Sequence, residues 1–206
     1  MRIALLSLIG SASVAGLVAT HTNAPTGAPA AAIAANDNRV AAGKLSNGVL
    51  TVELEARVGA WQPDGPNGPS ISTAAFAEVD KALQTPGPLI RAPQGTEIHA
   101  RIHNTLAKPM WMYGLGAVRG ISDSIAIAAG ATHDFSFTAT TIGTYYYVAR
   151  TDSFPVFARL AEDTQLGGVI VVDPPGVKPN DRIFAITNWF TIDPTRPSFV
   201  GANGTL

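Results

Sequence analysis

Two stretches decide the reading of this chain: Pro109-Met-Trp-Met-Tyr-Gly-Leu115 and Gly143-Thr-Tyr-Tyr-Tyr-Val-Ala-Arg150. Each is a short run of large apolar side chains bounded by Pro or Gly, which suits a buried strand and is too brief for a helix. Between them, Ala128-Ala-Gly-Ala-Thr-His-Asp-Phe-Ser-Phe137 supplies a turn and then alternation, with Phe135 and Phe137 as the core-facing pair. The stretch from Pro109 to Arg150 therefore predicts two buried strands, with a turn and an edge-facing strand between them.

The same grammar continues outward. From Leu50 to Val58 the residues Leu50, Val52, Leu54, Ala56 and Val58 share one face, and Thr51, Glu53, Glu55 and Arg57 share the other, a half-buried strand of period two. In Thr96–Thr105, Ile98, Ala100 and Ile102 point in, while His99, Arg101 and His103 point out. Gly167-Gly-Val-Ile-Val-Val-Asp173 is continuously apolar, as a strand covered on both faces must be. Ile71–Leu83 fits neither period well and reads as a short helix or a loose strand. Short strands at roughly ten-residue spacing, divided by Gly/Pro turns, imply an all-β Greek-key sandwich or barrel.

Composition bounds the chemistry. The chain has 206 residues, 46 % apolar and 14 % charged, with a net charge of -1. A core is affordable at that length, and no charge excess points to nucleic acid. There is no Cys, so disulfides, a cysteine nucleophile and a thiolate-bound blue-copper centre are excluded within these residues. Met1-Arg2, the apolar run Ile3–Ala19 and the small residues after it have the layout of a secretory signal. Four segments are expected: a signal peptide over 1–24, a disordered Ala/Pro-rich leader over 25–43, a folded domain over 44–175, and a linker with the first strand of a second, incomplete domain over 176–206. The localisation implied is periplasmic or secreted, with no stable membrane span after cleavage.

Five segments, in order, resemble the N-terminal cupredoxin (plastocyanin-like) domain of multicopper oxidases. They are Thr85-Pro-Gly-Pro-Leu-Ile-Arg91, Gly95-Thr-Glu-Ile-His-Ala-Arg-Ile-His-Asn-Thr-Leu106, Ala129-Gly130 with Phe135-Ser-Phe137, Gly143-Thr-Tyr-Tyr-Tyr147, and Gly167-Gly-Val-Ile-Val-Val-Asp-Pro-Pro175. The resemblance implies a cupredoxin fold, copper as family cofactor, oxidoreductase activity in a longer chain, and the remaining cupredoxin domains as partners. In that family a His-Trp-His-Gly-Leu run and a His-x-His run after Gly-Thr-Tyr-Trp-Tyr hold a three-copper cluster. Anchored on Gly114-Leu115, the first motif has Trp111 and Tyr113 at its histidine positions; the second has Val148 and Arg150. Anchored on Trp111 instead, the first motif offers Met110 and Met112, soft thioethers that suit Cu(I) but equally suit a core.

The other candidates are weaker. His99 and His103 share a face but stand ~13 Å apart along a strand, too far to chelate one ion. His133 follows a turn, and His21 falls in the leader. Asp123, Asp134, Asp152 and Glu162 show no acid/base or ligand spacing, and Asn203-Gly-Thr205 fits only a short glycosylation pattern. No catalytic or cofactor-binding residue emerges. Two readings compete: a domain of an exported multicopper-oxidase-like protein, and a non-catalytic cupredoxin-fold scaffold or binding module for a protein partner. The leader makes the first prediction. N-terminal sequencing of the exported form should begin between about Thr20 and Asp37, and an intact Met1 on a soluble cytoplasmic protein contradicts it.

Overall fold

The structure is a computed structural model and describes residues 30–116, 123–153, 163–189 and 201–203. The signal segment 1–24 and leader residues 25–29 lie outside the described residues. Among those described, the strands in chain order are β1 (Ile33–Ala35), β2 (Lys44–Ser46), β3 (Val49–Trp61), β4 (Ile71–Glu78), β5 (Leu83–Thr85), β6 (Gly87–Pro93), β7 (Glu97–Asn104), β8 (Met110–Tyr113), β9 (Ser124–Ile127), β10 (Thr132–Thr138), β11 (Gly143–Arg150), β12 (Gly167–Asp173), β13 (Thr187–Trp189) and β14 (Gly201–Asn203).

Two mixed sheets face each other. The first runs β1-β5-β4-β3-β7-β10, with β2 paired to β3; the second runs β6-β12-β11-β8-β9. Neighbours in space are often not neighbours in sequence, as a Greek-key path requires. The core fills the space between the sheets. Leu50, Val52, Leu54, Phe76, Ile98 and Ile102 come from one side, and Ile90, Met110, Met112, Tyr147 and Ile170 from the other. Burial pushes the Tyr147 phenol well above its ordinary pKa. Its hydroxyl donates to the Pro88 carbonyl at 2.6 Å, so the buried polar atom is satisfied. No helix among the described residues is long and apolar enough to cross a membrane.

The alternating strands lie as their patterns require. Ile98, Ala100 and Ile102 are buried while His99 and Arg101 are exposed. β12 sits between β6 and β11, buried along five of its seven residues. Phe135 is buried and Phe137 packs partly against the core. Within Ile71–Leu83 the structure has strand, not helix: β4 over Ile71–Glu78 pairs with β3 along its whole length, and a turn leads to β5 at Leu83. In β3 one expectation changes. Val58 is 49 % exposed, whereas Trp61 is buried with Ile33, Ala75, Ala77 and Leu83 on the opposite face of the sheet. β3 outruns the inter-sheet core, and past Ala56 the covered face is the one under β1.

Of the five crossings between the two sheets, two meet at one point, from β7 to β8 and back from β9 to β10. Asn104 sits at both, fully buried. Its amide nitrogen donates to the carbonyls of Lys108 (3.0 Å), Ile127 (3.0 Å) and Ala128 (3.1 Å), and its side-chain oxygen accepts from Leu106 N at 3.0 Å.

The leader is corrected. Residues 30–43 were expected to be disordered for want of large apolar side chains, but they form an ordered arm. β1 pairs in parallel with β5, and Asn36 N donates to Thr85 O at 3.0 Å. Further on, Ala41 bridges Leu89 of β6, and Ala42 N donates to Leu89 O at 2.7 Å. The arm thus spans from an edge of the first sheet to an edge of the second. Small residues permit it. A Cβ on Gly59 would stand 2.7 Å from both Ala31 O and an Ile33 side-chain carbon. A chain starting at Lys44 loses the burial of Ile33 and Ala42 with those edge hydrogen bonds. It should unfold in denaturant with about 2–4 kcal/mol less stability than one starting at Ala30; equal midpoints and slopes would show that the arm contributes nothing.

Candidate functional site

The positions singled out in the sequence meet on the outer face of the second sheet. β8 and β11 are antiparallel neighbours, with Val148 opposite Tyr113 and Arg150 opposite Trp111. Strand alternation puts these four side chains on one face and Met110, Met112, Tyr147 and Ala149 on the other. The two methionines are 0 % and 1 % exposed within the main core, so they fill volume between the sheets. Tyr113, Val148 and Trp111 form a separate small apolar cluster.

Arg150 organises the polar part of this quartet. Its Nε donates to the Tyr113 hydroxyl at 2.7 Å, and one terminal nitrogen donates to the Asp152 carbonyl at 2.7 Å. Its guanidinium carbon lies 5.2 Å from the Trp111 ring centre and 5.9 Å from that of Tyr113, within cation–π range. The charge is thus held by a phenol, a carbonyl and two π faces. Gly114 makes the close approach possible. Its φ is +85°, and a Cβ there would collide with the backbone of Tyr146 and Tyr147.

The donor set of the quartet is one indole, one phenol, one isopropyl group and one guanidinium. None is an imidazole, and a permanent guanidinium charge repels a metal cation. These residues do not fit a copper cluster. Among the described residues, no group of three or more His, Cys, Asp or Glu could hold a metal ion.

The remaining candidates are dispersed over the first sheet and its rim. His99 contacts Glu97 at 2.7 Å on the solvated face, and that contact lowers the Glu97 pKa. Asp134 pairs with Arg101 at 2.8 Å, which lowers the Asp134 pKa. His103 lies opposite Thr132 across the β7–β10 ladder, and the His133 ring meets Phe135 edge-on at 4.6 Å. Asp123 is exposed just before β9, and Asp152 serves the site through its carbonyl. Glu162, His21 and Thr205 lie outside the described residues, and Asn203 is described only as part of β14.

A groove on the same outer face escaped the sequence reading. It has a volume of about 380 Å³, with Tyr146 and Val148 on one side, Gly167 and Val169 beneath, and Phe184–Thr187 as the opposite wall. The sequence places a linker and the first strand of a further domain over 176–206. Among the described residues of that range, strand is confined to Thr187–Trp189 and its partner β14. Ile183 and Ala185 instead pack on Leu89, Val169 and Val171 of this domain. The signal was there in the alternation of Ile183, Ala185 and Thr187 with Phe184 and Ile186, which fits a segment lying flat on a sheet as well as a strand within one.

Residues 79–176 match the sequence model of the multicopper oxidase family. The fold is shared with the blue copper oxidase of Nitrosomonas europaea (20 % identity, TM-score 0.53), over 75 % of this chain and 51 % of that one. It is shared also with Lac15 from a marine microbial metagenome (23 %, TM-score 0.50), over 63 % of this chain and 34 % of that one. A third is a variant of the McoA multicopper oxidase from Aquifex aeolicus (17 %, TM-score 0.50), over 69 % and 30 %. No curated protein matches by sequence. The sandwich described here has the cupredoxin fold, and residues 79–176 within it are similar to the multicopper oxidase family. The chain spans about half or less of the length of these relatives.

The Arg150–Tyr113 bond gives a prediction. Tyr113→Phe keeps the ring and removes the acceptor, so it should destabilise the domain by about 1 kcal/mol, as for a half-buried bond to a charged donor. Thermal or denaturant unfolding checks this, and an unchanged midpoint would show that the hydroxyl is replaced by water without loss.

Proposed function

We infer that this domain is the N-terminal cupredoxin module of an exported multicopper-oxidase-like protein, and that it contributes a packed wall, not copper ligands, to the larger assembly. The observation that carries the reading is the quartet Trp111, Tyr113, Val148 and Arg150. The family resemblance assigns imidazoles to these facing positions; here Arg150 bonds to Tyr113 and lies over the Trp111 ring, and Val148 packs against Tyr113. Packed side chains leave no open coordination position. Oxidoreductase chemistry, if the longer protein performs it, then belongs to copper sites on other domains. The apolar outer face, with Tyr146 40 % and Phe184 52 % exposed, supports contact with those domains. Export rests on the signal-like start of the sequence.

The reading is tested on the purified 206-residue chain after copper loading and desalting. Metal analysis should find far less than one copper per chain, with a melting curve unchanged by copper. One tightly held copper per chain would sink the proposal and return attention to Met110 and Met112, which could reach a metal only if the sandwich opened.

A further inference from the structure

We propose that residues 181–187 form a releasable strap on the outer face of the second sheet, able to lift while the sandwich stays folded. Release would join the groove and the stripe beneath the strap into one continuous apolar surface. The proposal does not depend on whether the domain binds copper.

The covered surface is the row Leu89, Val169 and Val171, buried under Ile183 and Ala185. Alternation decides which side chains do the covering. Ile183, Ala185 and Thr187 are half-buried, while Arg182, Phe184 and Ile186 face outward. Phe184 is 52 % and Ile186 77 % exposed, so the strap displays apolar side chains to solvent as well as hiding them. Across residues 181–186 no strand pairing holds the segment to β6 or β12. The attachments that do hold it are side-chain contacts at its ends and middle. Arg91 pairs with Asp181 at 2.8 Å, Asn38 Nδ2 donates to Ile183 O at 3.3 Å, and Thr187 Oγ1 donates to Gln165 Oε1 at 3.2 Å.

The chemistry of the first clamp makes release inexpensive. Arg91 is itself well covered, its side chain only 12 % exposed, so leaving its charge unpaired would be costly. It is never left so. Asp173 binds it through two bonds, Nε at 2.8 Å and a terminal nitrogen at 2.7 Å. Asp181, 50 % exposed, is a second and more solvated partner. When the strap lifts, Asp181 moves into water and the Arg91–Asp173 pair persists. Gln165 likewise keeps its bond from Thr85 Oγ1 at 2.7 Å when Thr187 departs. Arg91 and Gln165 thus keep a partner with or without the strap, while Asn38 gives up its bond to Ile183 O as lifting the strap opens it to water.

Trypsin reads the strap directly, because the Arg182–Ile183 bond lies within it. The full chain is digested under native conditions and cleavage of that bond followed by mass spectrometry, with a synthetic peptide of residues 176–190 as the free reference. The parent should be cut at least tenfold more slowly than the peptide. Asp181→Asn should speed cleavage by about two- to fivefold, the value of a partly exposed ion pair. Sodium chloride on the order of 0.5 M should speed the parent but not that variant. Ala185→Asp, which sets a carboxylate on the apolar row, should speed cleavage further. Amide exchange in β12 should stay slow throughout. Cleavage of the parent at the peptide's rate would mean the strap never docks. Equal rates in parent and both variants would mean it does not lift by this route. Loss of β12 protection in step with cleavage would mean it opens only with the whole domain. Each of these overturns the proposal.

Discussion

The fold depends on the satisfaction of one buried amide. Asn104 stands where the chain leaves the first sheet for the second and where it later returns. A crossing between sheets ends a ladder and strands backbone carbonyls away from water, each a cost of about 1–3 kcal/mol if left unpaired. The Asn104 side chain answers three of these carbonyls at once, one on the way out and two on the way back, while its backbone carbonyl accepts from Gly130. With both crossings fixed, β8 and β9 enter the second sheet in one register. That register sets Tyr113 against Val148 and Trp111 against Arg150. The arrangement of the candidate site is thus inherited from a polar contact in the interior.

Much of this was legible in the sequence because period two is a strong signal when one face is covered. β7 and the inner part of β3 follow the alternation of their residues, and β12 follows its unbroken apolar run. The quartet was also legible, though only by setting Gly114-Leu115 and Gly143–Tyr147 beside a family pattern. What the pattern could not give was the role of Arg150 in its new setting. That depends on a phenol reached across the ladder and a carbonyl two residues on, contacts decided by register and not by composition.

The misread parts share a cause. The arm over residues 30–43 and the strap over 181–187 bury few large side chains of their own. Their order comes from edges and faces supplied by distant strands, and Ala-rich sequence is an advantage where a backbone must lie close to Gly59. Val58 and Trp61 belong to the same class. β3 changes its covered face because β1 covers the other side there, and nothing within β3 announces it. Local pattern predicts an element's own periodicity well and its coverage by remote chain poorly.

The contact between Asn38 and Ile183 joins residues 145 apart in sequence. Its consequence concerns time. The arm is made first, yet its last partners are among the last residues of the domain to emerge, after β12. Contacts of such long range form late and slow the approach to the native state, because a large loop must close before they are gained. The arm's own bonds to Thr85 and Leu89 need no residue beyond Leu89, so those sheet edges, the feature through which β-proteins pair wrongly with one another, can be covered before Ile183 arrives. A chain delivered in order from its N-terminus therefore passes through a stage in which nearly every strand exists and the arm still lacks its last partner.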